Sequence, residues 1–301
     1  MADAWETGYV VLSMLSLCGV AAFALIPKLI VKRNLDSIAR LWNQLGSEST
    51  NVLFSEDLIA GLPEPVQRYF RHAIRPGTLI HDGAVLQIEG RMKLRPDAKF
   101  GSFLSRERIQ AGRGLLWPAA FHLGPLLILG MDSYLQERGL TRWWLLGVIR
   151  IANGEGKVVD ESAAGRMAAE MIWLPGMLLP LFGVVWQAMD ESEISCKLPI
   201  DSCEFTLSFR IDEQGSLRSL RMLRLRMLDD GTAELQPFGM DSDGDFSSEG
   251  CTVPGRCRVA WLPDDTERRF EFWQGELKAL QYSGRLPVRG RLGSSPEDRL
   301  R

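Results

Sequence analysis

The sequence predicts an α+β protein: a large, curved antiparallel β-sheet forming a half-barrel, with helices on its concave side, preceded by an N-terminal transmembrane helix. Three observations carry this. Roughly ten segments with strand character, separated by turn signals, follow one another at the spacing of an antiparallel meander. One amphipathic helix pattern, residues 160–180, interrupts them. Ahead of both, residues 8–27 (GYVVLSMLSLCGVAAFALIP) carry no charge.

The charge-free stretch is about as long as the roughly 20 residues a helix needs to cross a bilayer. It lacks the basic start of a secretory signal. Cys18 in LSLCG is preceded by Leu17, too bulky for lipoprotein-type cleavage, so a retained single-pass anchor in the plasma (inner) membrane is the reading, with membrane contact over residues 8–30. Asp3 and Glu6 precede the span, and Lys28, Lys32, Arg33 and Arg40 follow it. The positive-inside rule places the rest of the chain on the cytoplasmic side. Residues 114–131 and 171–189 are also poor in charge. Pro118, Gly124 and Pro125 break the first, and Pro175, Gly176, Pro180 and Gly183 the second. Both fit strands and turns better than further spans.

Residues 34–45 read as a juxtamembrane amphipathic helix, with Leu35, Ile38, Ala39, Leu41, Trp42 and Leu45 apolar, either on the membrane surface or a plain spacer. Residues 46–51 are a polar linker. Residues 62–74 form a helix that opens on Pro63 and Pro65 and buries Val66, Tyr69, Phe70 and Ala73. Strands follow at 84–94, 102–110, 115–121, 126–136 and 141–151. Next comes the central helix. Ala164, Met167, Ala168, Met171 and Ile172 make one apolar face. Arg166, Glu170 and Trp173 make a second stripe, Asp160 supplies a cap, and Pro175 and Gly176 stop it. Strands resume at 184–189, 193–197, 204–211, 216–228, 257–262 and 268–282. The expected division is an anchor (1–33), a juxtamembrane helix and linker (34–61), one half-barrel domain (62–283) and a disordered tail (284–301).

Composition narrows function by exclusion. A net charge of −3 over 301 residues gives no basic field for nucleic acid. Five cysteines (Cys18, Cys196, Cys203, Cys251, Cys257) contain no CxxC, and His72, His81 and His122 have no metal-pair spacing, so no cofactor or metal is expected. Nucleophile elbow, HExxH, P-loop and GxGxxG patterns are missing. The expected ligand-binding residues are Arg166, Glu170, Trp173, Trp144 and Trp186, with Trp117 and Trp143 adding aromatic surface; the bland alternatives are a helix-surface ion pair and ordinary core packing. Asp241, Asp243, Asp245 and Glu249 resemble a calcium loop, but Phe246 stands where glycine is required, and a solvated hairpin loop is the better reading. Arg218, Arg221, Arg224 and Arg226 form a row that either meets anionic groups or is a solvated sheet face. Cys196 with Cys203, and Cys251 with Cys257, could be cross-strand neighbours, forming disulfides only in an exported domain.

Five stretches together resemble a bacterial family of uncharacterised proteins: LPEPVQRYFRHAI, LLGVIRIANGEGKVVDESAAGRMAAEMIWLPGMLLP, FTLSFRIDEQGSLRSLRM, EGCTVPGRCRVAW and FWQGELKALQYS. Such proteins resemble the LolA-like lipoprotein-carrier half-barrels, in which a curved sheet and internal helices enclose an apolar cavity. The segment GMDSDGDFSSEG is more acidic and less aromatic than the resemblance implies. The expected function is a membrane-anchored binding protein for a lipid or other hydrophobic molecule, without catalysis. The alternatives are a partner-binding or scaffold module with a filled core, and an enzyme using Glu170 as acid or base.

Overall fold

The computed structural model describes residues 25–228, 231–262 and 269–282. The expected span over residues 8–27 and the expected tail lie almost wholly outside them. Among the described residues no helix is long and apolar enough to cross a membrane.

The first described element is helix α1 (residues 25–42). Strand β1 (Ser49–Leu53) and helix α2 (Glu64–Ala73) follow, and β2 (Leu79–His81) pairs with β1 in a small ribbon. A meander then runs through β3 (Gly83–Met92), β4 (Gly101–Gln110), β5 (Gly114–Leu123), β6 (Leu126–Leu135), β7 (Arg138–Leu145) and β8 (Ile149–Gly154). Helix α3 (Lys157–Glu170) and three short 3-10 turns at Met171–Trp173, Pro175–Leu178 and Pro180–Phe182 lead to the second meander. It comprises β9 (Val185–Ala188), β10 (Glu193–Ile200), β11 (Cys203–Ile211), β12 (Leu217–Met227), β13 (Ala233–Ser248), β14 (Cys251–Trp261) and β15 (Phe270–Gln281).

Among the described residues, thirteen strands form one antiparallel sheet in the order β8-β7-β6-β5-β4-β3-β15-β14-β13-β12-β11-β10-β9. The β3–β15 pairing joins the two meanders. In that order β7 and β12 stand eight steps apart, about 38 Å in a flat sheet. Yet α3, about 10–12 Å across, packs on both. The sheet must therefore curl round the helix. Its closure shows at the strand ends, where Tyr134 Oη donates to Asp201 Oδ2 at 2.6 Å, joining β6 to the β10–β11 turn.

Helix α2 sits inside the curl, with Pro65 in its first turn and Val66, Tyr69, Phe70 and Ala73 buried, as their spacing predicts. Tyr69 and Phe70 pack on Trp186 of β9, and Tyr69 on Phe209 of β11. Trp173 Nε1 donates to Pro254 O, and Tyr282 Oη donates to Trp173 O. A cavity between Ile74, Ile80, Leu174, Gly176, Cys251 and Tyr282 has a volume of about 10 Å³, room for about one water. Below the central helix, Met171, Ile172, Trp173 and Leu174 are buried in the main core.

Several expectations are corrected. Helix α1 does not lie apart from the domain, nor on the concave side. Ile38 and Leu45 pack against Leu116 and Met131 on the convex face of β5 and β6, and Arg108 donates to Trp42 O and Leu45 O. Residues 49–53 of the expected linker form β1. Residues 141–151 are not one strand: Leu146 and Gly147, both at positive φ, turn β7 into β8. The acidic stretch is not a hairpin loop. It lies within β13, where Asp241 pairs with Arg221 and Arg269, Asp243 with Arg256 and Asp245 with His72. The cysteine pairs are not disulfides. Cys196 faces Leu207 while Cys203 faces Ile200, and Cys251 and Cys257 share β14, about 20 Å apart along an extended strand.

Candidate functional site: an aromatic floor beside a buried charge cluster

Alternation decides what the half-barrel's mouth is made of. In β4, Phe103 and Glu107 face inward, as do Trp117 in β5, Asp132 in β6 and Trp143 in β7. Trp117 and Asp132 are direct cross-strand partners, and the Trp117 ring contacts both Phe103 and Trp143. Phe103 in turn stacks on Trp273 of β15, with centroids 5.5 Å apart. The floor continues as Phe272, Trp261 and Phe238. Glycine makes room for two of its indoles. A Cβ on Gly130 would lie 2.3 Å from the Trp143 ring, and one on Gly275 2.2 Å from the Trp273 ring. Each indole therefore rests on bare backbone, as aromatic rings do when they cover a glycine in a sheet. Trp143, Phe272 and Trp273 remain partly exposed, whereas Phe103 and Trp117 are buried.

Helix α3 lays charge over this floor. Arg166 Cζ stands 4.8 Å from the Trp117 ring centroid, a cation–π distance. All three of its nitrogens are engaged: Nε donates to Glu170 Oε1 at 2.6 Å, and the two terminal nitrogens donate to Asp132 Oδ2 at 3.2 Å and Glu107 Oε1 at 3.1 Å. Trp143 Nε1 donates to the other Asp132 oxygen at 3.1 Å. Burial would pull the Arg166 pKa down, but Glu170, Glu107 and Asp132 outweigh it and raise it. Asp132 is the accessible member, its side chain 30% exposed against 1% for Glu107.

Glu107 is the unusual group. Burial, then the Glu170 charge, holds its carboxyl well above the ordinary carboxylate range, against the opposing pull of Arg166. It lies within hydrogen-bond reach of Glu170, whose Oε2 is buried with no other donor among the described residues. A proton on Glu107 supplies that donor. The sign follows. A carboxyl whose folded pKa is raised stabilises the fold fully below its unfolded pKa and loses that contribution as pH rises through the folded one. The expected result for Glu107→Gln, which keeps a donor for Glu170 and an acceptor for Arg166, is a Tm gain over the parent that grows from pH 5 to pH 8. A Tm difference independent of pH across that range would show that Glu107 is ionised.

Arg224 and Arg226 complete the mouth. Arg224 donates from Nε to Ser162 O and lies over Phe238 and Trp261; Arg226 lies over Trp261 and Phe270. Burial and Arg166 lower the Arg224 pKa to about 10. The expected solvated arginine row is thus reversed at this end of β12: Arg224 and Arg226 face in, while Leu223 and Met227 face out and are exposed.

Of the residues predicted to bind ligand, Arg166 and Glu170 come together here. Trp144 lies on the opposite, convex face, because its neighbour Trp143 faces in. Trp186 is among α2's aromatics and donates to Leu178 O, and Trp173 is buried below α3. Sequence reasoning missed Glu107 and Asp132. The available signal was a lone carboxylate at an inward position of each strand, most visibly Asp132 in the apolar run LLILGMDSYL.

Residues 52–275 match the model of a family of unknown function, DUF6544. The chain belongs to this family. The DUF6544 match spans β1 to β15 and contains every residue of the mouth, while α1 precedes it. No curated protein matches the chain. Three solved structures are similar at low identity. A domain from Vibrio parahaemolyticus described as an outer membrane lipoprotein-sorting protein is 9% identical, with TM-score 0.34 over 78% of this chain and 94% of that one. A LolA superfamily protein from Nitrosomonas europaea is 8% identical, with TM-score 0.35 over 74% and 93%. A DUF1329 family protein from Desulfovibrio piger is 12% identical, with TM-score 0.33 over 77% and 92%.

Proposed function

We propose that the chain is a membrane-anchored binding protein that holds a lipid or another hydrophobic molecule against the aromatic floor of its half-barrel, without catalysis. The single observation behind this is the continuous row of aromatic rings, two of its indoles seated on glycine, with Trp143, Phe272 and Trp273 still partly exposed. Partly exposed indoles beside a few polar groups are the kind of lining that receives an apolar ligand. Covering about 200 Å² of such surface contributes roughly 5 kcal/mol before the cost of ordering the ligand. The polar orienter is Asp132 rather than Arg166, because it is the more accessible of the two, its side chain 30% exposed against 19%. The ligand's polar end is therefore a hydroxyl or amine donor, not an anionic head. Residues 8–27 supply the anchor, and the cations that follow them set the domain on the cytoplasmic side.

Native mass spectrometry of the full chain released from detergent micelles tests this. The expected result is an adduct of lipid mass that survives release and is lost in Trp143→Ala/Trp273→Ala. A folded parent chain with no adduct would sink the reading. The small volume of the cavity beside Ile74 and Tyr282, about 10 Å³, favours a second reading, a partner-binding or scaffold module with a filled core. That reading predicts the bare chain.

A further inference from the structure

We infer that one rim of the sheet, formed by the β3–β4, β5–β6 and β7–β8 connections, docks on an anionic phospholipid bilayer. The inference rests on the anchored reading above and adds which edge of the domain meets the lipid.

The three connections share an edge because successive strands run antiparallel, and Leu146 N donates to Leu127 O across two of them. They carry Leu94, Leu123, Leu126, Leu146 and Ile149, whose exposures run from 37% at Leu123 to 59% at Ile149. Among the described residues, the connections at the other end of the same strands, 111–113 and 136–137, carry no exposed large hydrophobe. Exposed leucines scattered singly need no explanation, but a row on adjacent tips does.

Helix α1 identifies what covers the row. Asn34 Nδ2 donates to Gly147 O at 3.0 Å, at the apolar rim. Gly46 N, just past the helix, donates to Gln110 Oε1 at 2.8 Å, at the opposite edge. The helix therefore descends the convex face from rim to far edge. Residue 25 lies nine residues before Asn34, up to about 13 Å further along the axis, so α1 extends beyond the rim. Leu25, Ile26 and Leu29 there are all more than half exposed; the first two belong to the charge-free residues 8–27, and Leu29 follows Lys28 just past them. A chain that leaves a bilayer at this point brings the three tips to the same surface.

The charge agrees. Residues 25–33, 93–100, 123–126 and 146–150 hold Lys28, Lys32, Arg33, Lys93, Arg95, Lys99 and Arg150 against Asp97 alone. Basic groups around an apolar row suit anionic headgroups above acyl chains. Docked this way, the leucines sit at the headgroup boundary.

The test uses the full chain in nanodiscs of phosphatidylethanolamine and phosphatidylglycerol with dibrominated acyl chains. Cys18 and Cys203 are replaced by serine; Cys196, Cys251 and Cys257 are buried. A bimane label is placed at Leu126→Cys, Ile149→Cys or, at the opposite edge, Arg113→Cys. The expected result is that the labels at 126 and 149 lose most of their fluorescence while that at 113 keeps it. A chain that co-migrates with the disc, yet is equally bright at all three sites, overturns the docking and leaves the anchor standing. A chain that does not co-migrate with the disc overturns both.

Discussion

Arg166→Ala is expected to destabilise the fold by about 3–5 kcal/mol, the cost of removing one partner from a buried ion network. The guanidinium is the common partner of Glu107, Asp132 and Glu170, and the side chains of Arg166, Glu107 and Glu170 are all more than four-fifths buried. Without it, the Asp132 and Glu170 carboxylates and the Glu107 carboxyl share one pocket with Arg224 as the nearby cation, and the Trp117 ring loses the charge over its face. A surface i,i+4 pair, which is how Arg166 and Glu170 read from their spacing alone, would contribute only a few tenths of a kcal/mol. The two descriptions therefore differ about tenfold. Urea unfolding of the detergent-solubilised full chain, followed by tryptophan fluorescence, separates them. A loss below about 1 kcal/mol would return Arg166 to the helix surface. Adding Glu107→Gln should recover part of the loss, because it removes one of the carboxyls left unpaired; an additive double variant would show that the two residues do not interact.

The charge cluster was half legible in the sequence, and the reason is physical. The α3 stripe, Arg166 and Glu170, follows from the helical period, because both residues belong to one local element. Glu107 and Asp132 come from strands whose positions over α3 are set by the curl of the whole sheet, which no local pattern encodes. The same divide runs through the fold. Helix α2 and most strands follow from period and turn residues. Strand β13 does not, because Asp241, Asp243 and Asp245 look like loop residues until Arg221, Arg256, Arg269 and His72 are brought to them by other elements. The turn at Leu146 and Gly147 lacks the usual Asn or Asp before glycine, and its exposed leucine reads as strand. For helix α1 the apolar face was visible but its partner was not, since Leu116 and Met131 alternate with Trp117 and Asp132 and either parity could have faced outward. In β7 a single step of parity separates Trp143, which lines the mouth, from Trp144 on the far side.

Trp186→Ala draws the boundary between site and core, and its expected cost is comparable, about 3–5 kcal/mol for a large aromatic side chain removed from a packed interior. Trp186 is 8% exposed. Its ring touches Tyr69, Phe70 and Phe209, with centroids 5.5–5.7 Å apart, and its indole N–H donates to Leu178 O at 2.8 Å. Truncation opens a cavity beneath α2, among Tyr69, Phe70 and Phe209, and leaves that carbonyl without its donor. Chemical denaturation of the full chain should show the loss, and native mass spectrometry of the still-folded fraction should show the lipid adduct retained. Trp143→Ala/Trp273→Ala should do the reverse, because both indoles are partly exposed and their removal uncovers glycine backbone rather than emptying a core. If Trp186→Ala instead kept its stability and lost the adduct, the ligand would lie beneath α2 and the aromatic mouth would be only its entrance.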